Sequence, residues 1–121
     1  MPPDTKDMAR LWDMPDAART AVEFTTGVRF EEFVADRKTR NAVERNLEII
    51  GEAARCVSAG LRDNLPEIPW RSIIGLRNVL TLEYGEIRYE VQWTIIQDKL
   101  SPLTRQLEAM GVDSPPPSEE P

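Results

Sequence analysis

The sequence predicts an all-α chain, an up-and-down four-helix bundle with one short extra helix. Apolar residues recur on a 3.6-residue period through most of its length. No segment alternates with period 2, and no Asn-Gly or Asp-Gly hairpin pair occurs. Proline and glycine fall largely where helices start and stop.

The first helix is expected from about residue 4 to residue 27, with Met8, Leu11, Ala18 and Val22 on one face. Pro15 lies inside it. A missing N–H and a ring clash disfavour an interior proline by ~3 kcal/mol, so a kink or break is expected near residues 11–15. Phe30 and Phe33 then sit on a short amphipathic turn. The clearest helix covers roughly 39–58, where Val43, Leu47, Ile50, Ala54 and Val57 form one stripe. Ala42, Ile49, Ala53 and Cys56 widen it, which places Cys56 in the core. Leu65 to Pro69 reads as a punctuated connector. Pro69 suits the first turn of the next helix, which carries Ile73, Leu76 and Leu80 to about Tyr84, with Gly85 available to end it. Trp93, Ile96, Leu100, Leu103, Leu107 and Met110 mark a closing helix, and Gly111 is placed as its stop. Gly51 and Gly75 fall in mid-helix at about 1 kcal/mol each relative to Ala. Close approach of another helix backbone would explain both. Trp12, Trp70 and Trp93 read as packing residues.

The domain is expected to span residues 1–110, leaving 111–121 as a disordered, proline-rich acidic tail. At 121 residues, the chain has room for one domain and one core. Its 15 basic and 21 acidic residues give a net charge of −6, which excludes gripping nucleic acid by bulk charge and leaves room for a local basic patch. One cysteine excludes an internal disulfide and makes a reducing, cytoplasmic setting the expectation. No apolar run approaches the ~18 residues of a membrane span, and the first residues lack the features of a signal peptide. There is no histidine, so no imidazole can act as base, acid or metal ligand. No cofactor and no metal site is expected; a carboxylate-only site is disfavoured because helical di-metal sites usually pair Glu with His.

The polar residues of interest lie in the predicted fourth helix. Arg77, Thr81 and Tyr84 share one stripe, with Asn78 and Leu82 on the adjoining one. By spacing alone this is a solvated helix face. Arg37, Lys38, Arg40 and Arg45 form the one basic cluster, either a solvated helix start or an RNA-phosphate patch. Glu44, Glu48 and Glu52 step along one face and are expected to pair with arginines.

Three motifs, in order and correctly spaced, change that reading. They are Asn46 to Ala54 (Asn-Leu-Glu-Ile-Ile-Gly-Glu-Ala-Ala), Pro66 to Trp70 (Pro-Glu-Ile-Pro-Trp), and Gly75 to Gly85 with its Arg77-Asn78 and Glu83-Tyr84-Gly85. Together they resemble the HepT family, small helical HEPN-domain ribonuclease toxins paired with a minimal nucleotidyltransferase antitoxin, MntA. The resemblance runs from about Met8 to Met110 and extends to the Trp93 segment with Asp98, Leu100 and Pro102. It implies the HEPN/nucleotidyltransferase-substrate-binding-like bundle, a homodimer, an antitoxin partner and RNA as substrate, transfer RNA being the family-based choice. The family signature is Arg, four residues, His, one residue, Tyr. Here Arg77 and Tyr84 match, and Leu82 stands at the histidine position. The family commonly has Ala-His where this chain has Thr81-Leu82.

In the mechanism so implied, RNA is cut without a metal. The histidine acts on the 2′-hydroxyl and the arginine steadies the phosphate. A general acid–base group typically contributes about 10²–10⁴-fold. Leu82 has no titratable atom, and Glu83 points about 100° away on a regular helix. The chain is therefore expected to be inactive or nearly so. Asn78 and Glu52 take supporting roles by resemblance, Glu52 by orienting Arg77. Tyr84 is the family's site for AMP transfer by the antitoxin. The rival reading is a non-catalytic HEPN interaction module that binds the nucleotidyltransferase; an accessory nucleotide-binding subunit is a third. Leu82 is either a natural divergence or an engineered substitution.

Overall fold

The computed structural model describes residues 5–76, 88–112 and 114–116. Described residues form helices α1 (Thr5–Thr25), α2 (Phe30–Ala35), α3 (Arg37–Cys56), α4 (Ala59–Asn64), α5 (Trp70–Ile74), α6 (Tyr89–Asp98) and α7 (Leu100–Ala109), with no strand among them. The all-helical class is as expected from sequence.

The bundle is organised around α1. It packs along α3, its most extensive interface, and against α7, while α2 and α5 lie against α3. Alanines make the α1–α3 approach close: Ala17, Ala18 and Ala21 on α1 and Ala53 and Ala54 on α3 are all buried. The two helices run antiparallel. Asp7, near the start of α1, accepts hydrogen bonds from the Ser58 N–H (2.9 Å) and hydroxyl (2.7 Å), just beyond the end of α3. Ser58 begins α4 but makes no side-chain cap of its own.

The stripe Val43, Leu47, Ile50, Ala54 and Val57 is buried as expected. Phe33 is fully buried and anchors α2, stacking near Trp93 at 5.2 Å and edge-on to Tyr89 at 6.3 Å. Gly51 is where α3 and α5 come closest: a Cβ there would sit 3.2 Å from the Ile73 carbonyl oxygen. That confirms the close approach inferred for Gly51.

Several expectations are corrected. Helix α1 runs through Pro15 unbroken, with Pro15 itself buried beside Met14, Ala17 and Ala18. Packing on both flanks outweighs the local preference. Met8 is exposed; the buried face runs through Leu11, Met14, Ala18 and Ala21. Cys56 is exposed rather than core. Gly75 ends α5, and a Cβ there would meet the carbonyls of Arg71 and Ser72 in its own helix, not a second helix. The closing helix is two helices, separated at Lys99. Pro102 accounts for the separation: in one continuous helix its ring would clash with the Asp98 carbonyl, whereas in the first turn of α7 it is tolerated.

Gly111 does end α7, with φ +92°. Its N–H bonds to Glu108 O (3.0 Å) and that of Val112 to Leu107 O (2.9 Å), the paired bonds of a Schellman cap. Met110 is exposed, and Val112 is buried in its place.

Candidate functional site

Arg77, Asn78, Leu82 and Tyr84 lie outside the described residues, as does the rest of segment 77–87. The described chain on either side of that segment meets one helix. Leu76, 8 % exposed, has its Cβ 3.6 Å from where a Cβ on Gly51 would stand. Arg88 precedes α6, and Tyr89, the first residue of α6, lies under the Arg40 guanidinium at 4.9 Å and receives a hydrogen bond from it. Gly51 and Arg40 are eleven residues apart on α3, about 16 Å at 1.5 Å per residue.

Leu76 and Glu90 also line one groove of about 840 Å³ between α5, α6 and α7. Its walls are mainly apolar, including Ile50, Ile73, Val91, Ile95 and Leu103, with Ser72, Thr94, Asp98, Lys99 and Gln106 as polar groups. The signature segment is thus bracketed in sequence by residues of a single apolar groove.

Glu52 lies on the solvent side of α3, one residue from Gly51. Its two carboxylate oxygens accept from Arg55 Nη2 (2.6 Å) and Nε (3.2 Å), and the Cys56 thiol approaches at 3.7 Å. The Arg55 hydrogen bonds hold the Glu52 carboxyl below its usual range. Glu48 pairs with Arg45 at 3.6 Å. Glu48 and Glu52 therefore meet arginines as expected, through i,i+3 partners on their own helix.

The basic cluster divides on inspection. Arg40 is half-buried against Tyr89, and its Nε is buried without a partner. Arg45 is engaged by Glu48. Arg37 and Lys38 remain as exposed cations in the first turn of α3, where the helix dipole opposes positive charge. Asp36 offsets this as N-cap. It accepts from the N–H groups of Lys38 (3.1 Å) and Thr39 (3.3 Å) and from the Thr39 hydroxyl (2.7 Å). The Thr39 hydroxyl bond is the main reason its carboxyl is held below the ordinary range.

Sequence reasoning passed over Gln92. It is 1 % exposed, and neither amide atom has a hydrogen-bond partner. An unmet buried polar group costs about 1–3 kcal/mol. Its spacing of four from Ile96 was the available signal; the helix stripe starts at Gln92, not at half-buried Trp93. Among the described residues no group of three or more Asp, Glu or Cys is placed to hold a metal ion, and no described helix is long and apolar enough to cross a membrane.

Comparison with known proteins accords with this architecture. A family model described as "Ribonuclease HepT-like" matches residues 14–110. "Putative RNase MJ1380" of Methanocaldococcus jannaschii is 36% identical over 100 residues, covering 83% of this chain and 92% of that protein. "Putative RNase MJ0127" of the same organism is 34% identical over 105 residues, 87% of each chain. "Probable ribonuclease HepT" of Thermococcus cleftensis is 35% identical over 100 residues, 83% of this chain and 91% of that one. No solved structure matches.

Proposed function

Because the chain belongs to the ribonuclease HepT-like family, we propose that it is the toxin-side member of a HepT/MntA-type toxin–antitoxin pair whose RNA-cleaving step is silenced at Leu82. The observation that carries the silencing is that the chain contains no histidine. Even a homodimer with two signature segments facing one another would bring no imidazole to the site.

What the remaining residues do follows from their chemistry. Arg77 presents a planar fork suited to two phosphate oxygens. Strand cleavage requires the 2′-hydroxyl to lose its proton as its oxygen attacks phosphorus, and the 5′-oxygen to gain one as it leaves. Arginine does not accept a proton near neutral pH, and leucine never does. The chain thus binds the phosphate without moving the proton. In a dimer the two Arg77 charges repel, so an RNA phosphate or a carboxylate between them favours assembly. Tyr84 remains as an acceptor for AMP from a minimal nucleotidyltransferase, and an anionic adduct there opposes RNA phosphate. This activity belongs to the cytoplasm and to the body at residues 1–110, with 111–121 as an appended tail.

The test is RNA cleavage by the wild-type chain and by Leu82→His. The wild type should leave RNA intact, and Leu82→His should gain cleavage on the order of 10²-fold or more above background. A Leu82→His protein that is folded, dimeric and inert would overturn the reading. The missing imidazole also favours a second reading, a pure interaction module. An inert Leu82→His variant that still binds the nucleotidyltransferase made from the adjacent reading frame would establish it.

A further inference from the structure

The corner where α4 meets α5 holds a second cavity, of about 430 Å³, lined by Ala59, Arg62, Asp63, Trp70, Arg71 and Ile74. That volume falls in the range of about 300–1,000 Å³ typical of small-ligand pockets. We propose that this corner is a contact site for single-stranded RNA, taking one phosphate between Arg62 and Arg71 and one base against Trp70. The assignment rests on the RNA-directed reading above and adds a place on the surface that the signature does not specify.

Three observations point there. First, both arginines are uncommitted. The ion pairs among the described residues use Arg19, Arg29, Arg45 and Arg55, and neither Arg62 nor Arg71 makes a side-chain hydrogen bond. The Arg62 Nε is moreover buried without a partner. In a chain with 21 carboxylates and 15 cations, two unpaired guanidinium groups sharing one cavity are out of keeping with the rest of the surface. An anion between them would relieve their repulsion.

Second, Trp70 is fixed. Its indole N–H donates to the Leu65 carbonyl at 2.9 Å, so the ring is oriented before any ligand arrives. A fixed aromatic wall beside cations is the arrangement that single-strand binders use, with bases stacking on the ring and the backbone following the charge. Third, Arg71 sits on the helix that leads through Leu76 into the signature segment, six positions before Arg77. Asp63 lines the same cavity and leaves the corner a net single positive charge. Its carboxylate is an acceptor for a ribose hydroxyl, a group DNA lacks.

The experiment measures binding of a fluorescent single-stranded RNA to the full chain as a function of salt. Arg62→Gln/Arg71→Gln is compared with Arg37→Gln/Lys38→Gln, which removes the same charge from the start of α3. The corner variant should weaken binding by about tenfold and flatten the slope of log K against log salt by about 1.4, or 0.7 per phosphate lost. The α3 variant should do markedly less, with both variants melting as the wild type does. Equal losses in the two variants, unchanged binding in the corner variant, or no RNA binding by the wild type would each overturn the assignment. Equally tight binding of free AMP would overturn it too, making the corner a mononucleotide pocket. Failure of Leu82→His to cleave tests the silenced-nuclease reading separately, since it leaves both corner arginines in place.

Discussion

The two ends of α3 are held by different physics. At its start, aromatic rings do the packing. Phe33 and Phe30 meet Trp93 at 5.2 and 5.9 Å, Phe33 meets Tyr89, and Arg40 covers the Tyr89 ring. At its end, the contacts are small and polar: Gly51 against the Ile73 carbonyl, Asp7 on Ser58, and Trp70 tied by its N–H to Leu65. Arginines follow the same division. Arg40 is taken up by aromatic packing at one end, and Arg62 and Arg71 stay unpaired beyond the other. A cluster of basic residues in the sequence is therefore a poor guide to where positive charge is available. What counts is which cations the fold has already engaged.

Three changes would break or sharpen that contrast. Phe33→Ala should have the largest effect, a loss of about 3–5 kcal/mol in urea unfolding, because a fully buried ring at the aromatic end leaves a cavity. A loss below about 1 kcal/mol would mean that the rings are not what holds that end. Gly51→Val should cost about 1–3 kcal/mol by driving a side chain into backbone that cannot rotate away. Gly60→Ala, where nothing lies within 4 Å, should be neutral or stabilising by up to about 1 kcal/mol. Equal effects at the two glycines would refute the close approach.

The smallest effect concerns pH. The folded-state carboxyl of Asp36 lies below its ordinary value of 3.8, so its contribution is complete above that value and fades as pH falls through the lower, folded one. Asp36→Asn should therefore flatten the acid limb of a stability-against-pH curve and leave it unchanged near neutrality in shape. Asp13 works with the opposite sign, since burial raises its carboxyl. Because Asp36 is fully exposed, solvent screening keeps the difference small.

The α3 stripe was legible because five buried positions share one arc of about 100° per residue periodicity. Cys56 was misassigned for a reason visible in the same arithmetic: it lies about 140° from the centre of that arc, past the point where the neighbouring helices cover it. Gln92 was passed over because an amide in a buried register looks like a surface residue until its neighbours are known. Pro15 and Pro102 show the limit of local rules. One is carried by packing on both flanks of its helix, and the other sits where two helices separate. Arg62 and Arg71 could not be paired from sequence, since only the turn between α4 and α5 brings them to one cavity. The signature residues were legible as a spacing, and their geometry falls within segment 77–87.

The exposure of Cys56 has a practical consequence. It is the chain's one sulfhydryl, and it sits at the last position of α3, three residues before α4 begins. A thiol-reactive fluorophore would attach at one known position without engineering a new residue, giving an optical reporter on the helix end nearest in sequence to the corner whose occupancy is in question.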